Sequence, residues 1–180
     1  MLKKSISPKL GDTQSILRHW HESVPDDRLA HLVRDAGRAF NKRLQVRLQQ
    51  HQVSFGHWTF LRILWTADGL TQKELSDLAG VMEPTTFSAI KAMEDMGYVE
   101  RRQKPENRKN MYVHLTAKGR ALKKRLVPLA VDVNHVAVRG VSTSDLLITR
   151  KVLLALIENL ALEEAQDGHV YALKMLAFNC

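Results

Sequence analysis

Residues 70–119 read LTQKELSDLAGVMEPTTFSAIKAMEDMGYVERRQKPENRKNMYVHLTAKG. The stretch opens on Thr71-x-x-Glu74, a capping box in which the hydroxyl accepts from the amide three residues on and the carboxylate reaches back. A short helix follows, with Leu75, Leu78 and Ala79 expected inward. Gly80 supplies the backbone conformation of a sharp turn. Pro84 suits the first turn of a second helix, where no backbone donor is lost. That helix is expected to run to Met96 with Phe87, Ile90 and Met93 inward, and Gly97 stops it. The period then drops to two. Tyr98 to Arg102 alternates, Pro105-Glu106-Asn107 is turn chemistry, and Met111 to Leu115 alternates again, so two strands flank a basic loop.

Helix, tight turn, helix and basic hairpin form the order of a winged helix-turn-helix. A helix fits the major groove, so the Pro84–Met96 segment can turn an outward set toward base edges: Glu83, Thr85, Thr86, Ser88 and Lys91. Arg108, at the hairpin tip, can enter a minor groove, where narrow tracts deepen the negative potential. Lys104 and Lys109 suit phosphates, and Arg102 and Asn107 complete the set expected at DNA. The alternative is a winged domain that binds protein.

The charge distribution agrees with a polyanionic partner. The chain has 180 residues with 27 Lys+Arg against 19 Asp+Glu, a formal net charge of +8. Five of the cations lie in 101–109 and five more in 118–125, whereas 141–180 carries three cations and five acids. A basic middle and an apolar, mildly acidic tail point to two tasks: touching a polyanion and packing on something apolar.

Outward from the central stretch, the chain reads as helices. Residues 1–12 show no periodicity and Thr13 to Glu22 forms a short helix, together an arm over 1–25. In 26–52 apolar residues recur at Leu29, Leu32, Val33, Ala36, Phe40, Leu44 and Leu48, a long amphipathic helix. Phe55 to Ala67 is a further helix of the lobe spanning 53–116. In 117–180, Thr116 caps a helix whose seam is Leu122, Leu126, Leu129, Val133 and Val136, with Pro128 expected to bend or end it. Ser142-x-x-Asp145 starts another, with Leu146, Leu153, Ile157 and Leu160 as its seam and Leu147 and Leu154 beside it. The tail after Gly168 is apolar and is expected to pack on a partner or in a groove. The expected class is mainly α with a small two- or three-stranded β wing, a winged lobe joined to a helical dimerisation lobe.

The 70–119 stretch resembles the multiple antibiotic resistance regulator (MarR) family. The resemblance rests on the LTQxEL helix, a Pro-Thr recognition helix, Gly97-Tyr98-Val99-Glu100-Arg101-Arg102, the wing, and Leu115-Thr116-Ala117-Lys118-Gly119, and it covers about residues 26–165. The family often has Arg where this chain has Ser88, Ser where it has Phe87, and Asp where it has Asn107. Asn107 can still hydrogen-bond Arg108, without the charge. The resemblance implies a homodimer whose long helices interlock, reading a near-palindromic duplex with half-sites about one helical turn, ~10 bp, apart. Independently, three apolar seams flank a domain too small to cover them all.

Family members often bind a small effector, commonly an aromatic carboxylate. The resemblance therefore implies a regulator, as a repressor released by such an acid or its thioester. Trp20, His31, Arg34, Arg38, His57 and Trp58 are the candidate effector residues: flat walls, a hydrogen-bond donor, and arginines able to clamp a carboxylate through two bonds. A second reading leaves the tryptophans in the core and pairs Arg34 or Arg38 with Asp35 or with an acid of a partner. A third function class, a DNA-binding architectural protein without effector, stays open.

No enzyme is expected, for there is no Gly-rich phosphate loop, zinc-protease helix, nucleophile elbow or Cys-His pairing. Nor is a cofactor or metal: Cys180 is the single cysteine, and His19 and His21 are poorly spaced for one helical face. The basic N-terminus lacks the apolar stretch of a secretory signal, and Leu146–Leu162 contains Arg150, Lys151 and Glu158, so a cytoplasmic protein without membrane spans is expected.

Overall fold

The computed structural model describes residues 13–22, 29–104 and 107–178, with side chains described throughout except at Ser15, Glu22, Lys104, 107–109 and 167–178. The helices are α1 (Thr13–Glu22), α2 (Leu29–Gln49), α3 (Phe55–Leu64), α4 (Gln72–Ala79), α5 (Glu83–Asp95), α6 (Ala117–Ala137) and α7 (Thr143–Phe178). The strands are β1 (Leu70–Thr71), β2 (Val99–Lys104) and β3 (Asn107–Leu115). They form one antiparallel sheet in the order β1-β3-β2, with Leu70 opposite Val113 and Arg101 opposite the same residue on the other side. The wing is thus three-stranded, the third strand being the two residues that precede α4. Two compact units divide between Ala137 and Val138.

The first unit is held by a continuous core. Leu44 and Leu48 of α2, Trp58, Leu61 and Leu64 of α3, Leu75, Ile90 and Met93 of the helix pair, Val99 and Val113 of the sheet, and Leu122, Leu126 and Val133 of α6 are all buried in it. Removing so much apolar surface from water is the main favourable contribution to folding. The α6 seam is therefore covered by the chain itself at Leu122, Leu126 and Val133, with Leu129 partly buried and Val136 exposed. The α2 seam divides: its C-terminal half is buried, while Leu29, Leu32, Val33 and Phe40 remain exposed. Arg47 of α2 pairs with Asp132 of α6, further fastening those two helices.

Local signals act as their chemistry requires. Thr71 Oγ1 accepts from Glu74 N at 3.2 Å, and Glu74 Oε2 accepts from Thr71 N at 2.7 Å. Gly80 closes α4 in the left-handed conformation, φ 64°. Ser142 Oγ accepts from Asp145 N at 3.1 Å at the start of α7. Two expectations are corrected. Pro128 does not end α6, which continues to Ala137; burial of Leu126 and Val133 on either side holds the helix across the missing donor. Leu78 is 62% exposed, and Ser76 takes the inward position on α4.

The second unit is α7, 36 residues long. Its described apolar side chains are mostly exposed, among them Leu153, Ile157 and Leu160 of the expected seam and Leu147 beside it, while Leu146 is partly buried. Backbone helix continues through the apolar tail to Phe178, but the tail's side chains, and the expectation that they pack on a partner, lie outside the described residues. Among the described residues no helix is long and apolar enough to cross a membrane.

Candidate nucleic-acid interface

The α5 helix is seated by Thr86, Ile90 and Met93, all fully buried. Thr86 therefore does not belong to the outward set and cannot touch a base. Its hydroxyl lies 2.8 Å from Ser76 Oγ, which is also 2.9 Å from the Gln72 carbonyl, so a buried polar relay joins α4 to α5. Phe87, expected inward, is instead 50% exposed. Both steps, Thr86 to Ile90 and Phe87 to Ile90, are helical, and apolarity alone favours phenylalanine. The hydroxyl partner on α4 makes threonine acceptable inside. Glu83, Thr85, Ser88 and Lys91 are exposed, as expected.

The other end of α5 is tied to the wing. Arg101 of β2 donates through Nε and NH2 to Glu94 Oε2 at 2.9 and 2.5 Å, and its backbone N–H reaches Oε1 at 3.3 Å. These bonds hold the Glu94 carboxyl below the usual carboxylate range and raise the Arg101 guanidinium. Arg101 is thus a strut between α5 and the wing. Arg102 points to solvent and pairs with Glu100. The backbone of Lys104, Asn107, Arg108 and Lys109 lies in the hairpin strands, but the DNA contacts expected of their side chains lie outside the described residues.

Asp68 and Gly119 are structural residues that periodicity did not single out for these tasks. Asp68 Oδ1 accepts from Leu115 N at 2.8 Å and Gly69 N at 3.1 Å, while Oδ2 lies 3.5 Å from Arg120 NH1, so one carboxylate fixes the root of the wing. At Gly119 an added Cβ would stand 2.0 Å from the Tyr98 carbonyl oxygen. Its own N–H donates to Thr116 Oγ1 at 3.1 Å, and its carbonyl accepts from Trp65 Nε1 at 3.0 Å. The final glycine of the Leu-Thr-x-x-Gly run is thus required by backbone contact.

The candidate effector residues divide into separate settings. Trp20 Nε1 donates to Asp35 Oδ2 at 3.3 Å, Arg34 Nε donates to Asp35 Oδ1 at 3.1 Å, and Arg38 NH1 lies 3.6 Å from the same oxygen. The Asp35 carboxyl is held below its ordinary value, chiefly by the Arg34 hydrogen bond. Both arginines thus already lean on an acid, the second of the two sequence readings. His31 is exposed on the same helix. Trp58 is a core residue, 4% exposed, with its ring edge-on to Trp65 at 5.6 Å. His57 is half-buried, its Nδ1 lacks a hydrogen-bond partner, and burial lowers its pKa. Among the described residues no hydrogen bond or ion pair joins the Asp35 group to His57 or Trp58.

A half-open cavity of about 410 Å³ lies elsewhere in the first unit, lined by His51, Tyr98, Lys118, Leu122 and Arg125 among others. Lys118 Nζ stands 5.0 Å over the Tyr98 ring and donates to the Met96 carbonyl at 2.7 Å. Arg125 NH2 donates to His51 Nδ1 at 3.2 Å. Among the described residues neither cation makes an ion pair with a carboxylate, so two positive groups line the cavity beside an aromatic face.

Residues 53–111 match the model of the MarR family. The chain is 28% identical over 126 residues to the HTH-type transcriptional regulator TtmR of Methylorubrum extorquens, covering 69% of this chain and 60% of TtmR, so it spans about three fifths of that relative's length. Its fold superimposes on a MarR family regulator from Listeria monocytogenes complexed with 26mer DNA, with a TM-score of 0.68 and 22% identity over 75% of this chain and 90% of that one. A MarR family protein of Mycobacterium tuberculosis in complex with salicylic acid matches with a TM-score of 0.61 and 23% identity, over 73% and 98% of the two chains.

Proposed function

We propose that this chain, whose residues 53–111 match the MarR family model, is a member of that family and a dimeric, sequence-specific DNA-binding transcriptional regulator without enzymatic activity. The supporting observation is the seating of α5. Thr86 at one end and Glu94 at the other pin the helix to α4 and to the wing. Glu83, Thr85, Ser88 and Lys91 are left toward solvent, where a rigid helix can enter a major groove. The sequence of the adjacent hairpin supplies Arg102, Lys104, Asn107, Arg108 and Lys109, residue types suited to phosphates and a minor groove. The Listeria regulator, solved with DNA, shares this architecture.

The apolar residues exposed on α7 and on the N-terminal half of α2 support a homodimer, since a second copy can cover them. Such a twofold assembly would read a near-palindrome. The test is fluorescence anisotropy on duplexes from the region upstream of its own gene. Tight binding with a steep salt slope is expected, and Lys91→Ala should lower that slope by about one. No binding to any such duplex at low salt would overturn the reading.

Within this reading the protein is a repressor released by a small aromatic carboxylate or its thioester. The salicylic acid complex of the mycobacterial relative supports that chemical class. With Arg34 and Arg38 engaged by Asp35 and Trp58 in the core, the cavity bearing Lys118 and Arg125 is the better place for an acid. A thermal-shift series of aromatic acids, followed by DNA release with any hit, tests it. If no acid raises Tm while DNA binding persists, an architectural DNA-binding protein without effector is the correct reading.

A further inference from the structure

Phe87 is the residue of α5 that the packing leaves without a task. It is half exposed, although the helix carries it on the turn that also supplies the buried Thr86. The core under α5 is already complete with Thr86, Ile90 and Met93. The paired hydroxyls of Thr86 and Ser76 favour that choice, because exchanging threonine for the ring would remove their mutual hydrogen bond and leave the buried Ser76 hydroxyl with the Gln72 carbonyl alone. The helix therefore holds an apolar ring toward solvent at a fixed place. Four residues before it stands Glu83 and four residues after it Lys91, both exposed and on the same edge of the helix.

An exposed apolar side chain has no consequence by itself. Its position decides here. In the major groove the base edges offer hydrogen-bond donors and acceptors and a single apolar group, the C5 methyl of thymine. A phenyl ring can form no hydrogen bond, so thymine is the base edge it can select. The neighbouring Lys91 supplies the positive charge that draws this edge of the helix to a duplex. We propose that Phe87 forms an apolar subsite that takes a thymine methyl, so that each operator half-site contains a thymine read through its methyl group. This inference rests on the DNA-binding reading above and deepens it.

The experiment starts from duplexes selected by the full chain from a random-sequence library. In the selected duplex each thymine is replaced in turn by deoxyuridine, which removes one methyl and leaves pairing intact. Affinities are measured for the unaltered protein and for Phe87→Ala, whose folding is checked by Tm. Burying one methyl is equivalent to about a fourfold change in affinity. At one thymine per half-site the unaltered protein should lose about fourfold, and Phe87→Ala should bind thymine and deoxyuridine alike. Lys91→Ala should weaken binding and retain the fourfold discrimination. Three results would overturn the inference: equal binding of both duplexes by the unaltered protein, discrimination that survives Phe87→Ala, or a Phe87→Ala effect confined to self-association. If the library yields no selected duplex, the DNA-binding reading fails first, and the inference with it.

Discussion

The winged lobe and α7 are both rich in apolar residues and use them in opposite ways. From Leu44 to Val133 the lobe buries leucines, valines and aromatic rings against one another, many at zero exposure. Along α7, Leu147, Ile157 and Leu162 are 62–64% exposed. The lobe's elements differ in direction, so their apolar faces converge. A single helix has no second face of its own to meet, and its apolar side chains need another surface. The lobe closes a core within one chain, whereas α7 leaves its apolar side chains exposed, the surface that the proposed homodimer would cover.

The largest expected effect tests the lobe's self-sufficiency. Gly119→Ala drives a methyl into the Tyr98 carbonyl, which also accepts from Thr116 N at 3.1 Å and cannot easily retreat. A loss of about 3 kcal/mol is expected, measured by urea unfolding. A neutral result would mean that the lobe is less tightly packed than this contact requires. Next comes α7. The double substitution Ile157→Glu with Leu160→Glu should raise the dimer dissociation constant at least tenfold, ~1.4 kcal/mol, by sedimentation equilibrium. An unchanged association would move the proposed interface off α7. Thr86→Val removes one buried hydroxyl while Ser76 keeps the Gln72 carbonyl as partner, so ~1 kcal/mol is expected in unfolding.

The smallest effect depends on pH. Arg101 holds the Glu94 carboxyl below its ordinary value. The pair therefore contributes stability that is present above the unfolded carboxyl value, about 4.3, and is lost as pH falls through the folded value. Glu94→Gln should cost less than ~1 kcal/mol at pH 7, the pair being partly exposed. The gap between the two proteins should close on acidification. A gap independent of pH would assign the effect to packing.

Much of the architecture could be read from the chain. The capping box, Gly80, Pro84 and the change of period near Tyr98 act through neighbours a few residues away, so sequence spacing carries them. The exposed Glu83, Thr85, Ser88 and Lys91 were legible for the same reason. What misled was the choice between adjacent positions on one helix. Leu78 and Phe87 looked inward and Thr86 outward, because apolarity is informative about burial only until a buried polar partner appears. That partner, Ser76, sits ten residues away on another helix. Trp58 could not be told from a pocket wall, nor Arg34 and Arg38 from free cations, until Asp35 was seen buried beneath Trp20.

The order of helices, the basic hairpin and the excess of positive charge were determined by the sequence, since each arises from local periodicity, turn chemistry or composition. Tertiary structure alone decided which side chain of each neighbouring pair faces the core, which cations are already neutralised and where Gly119 meets a carbonyl. Those outcomes depend on contacts between residues far apart in the chain, and no local pattern encodes a partner's position.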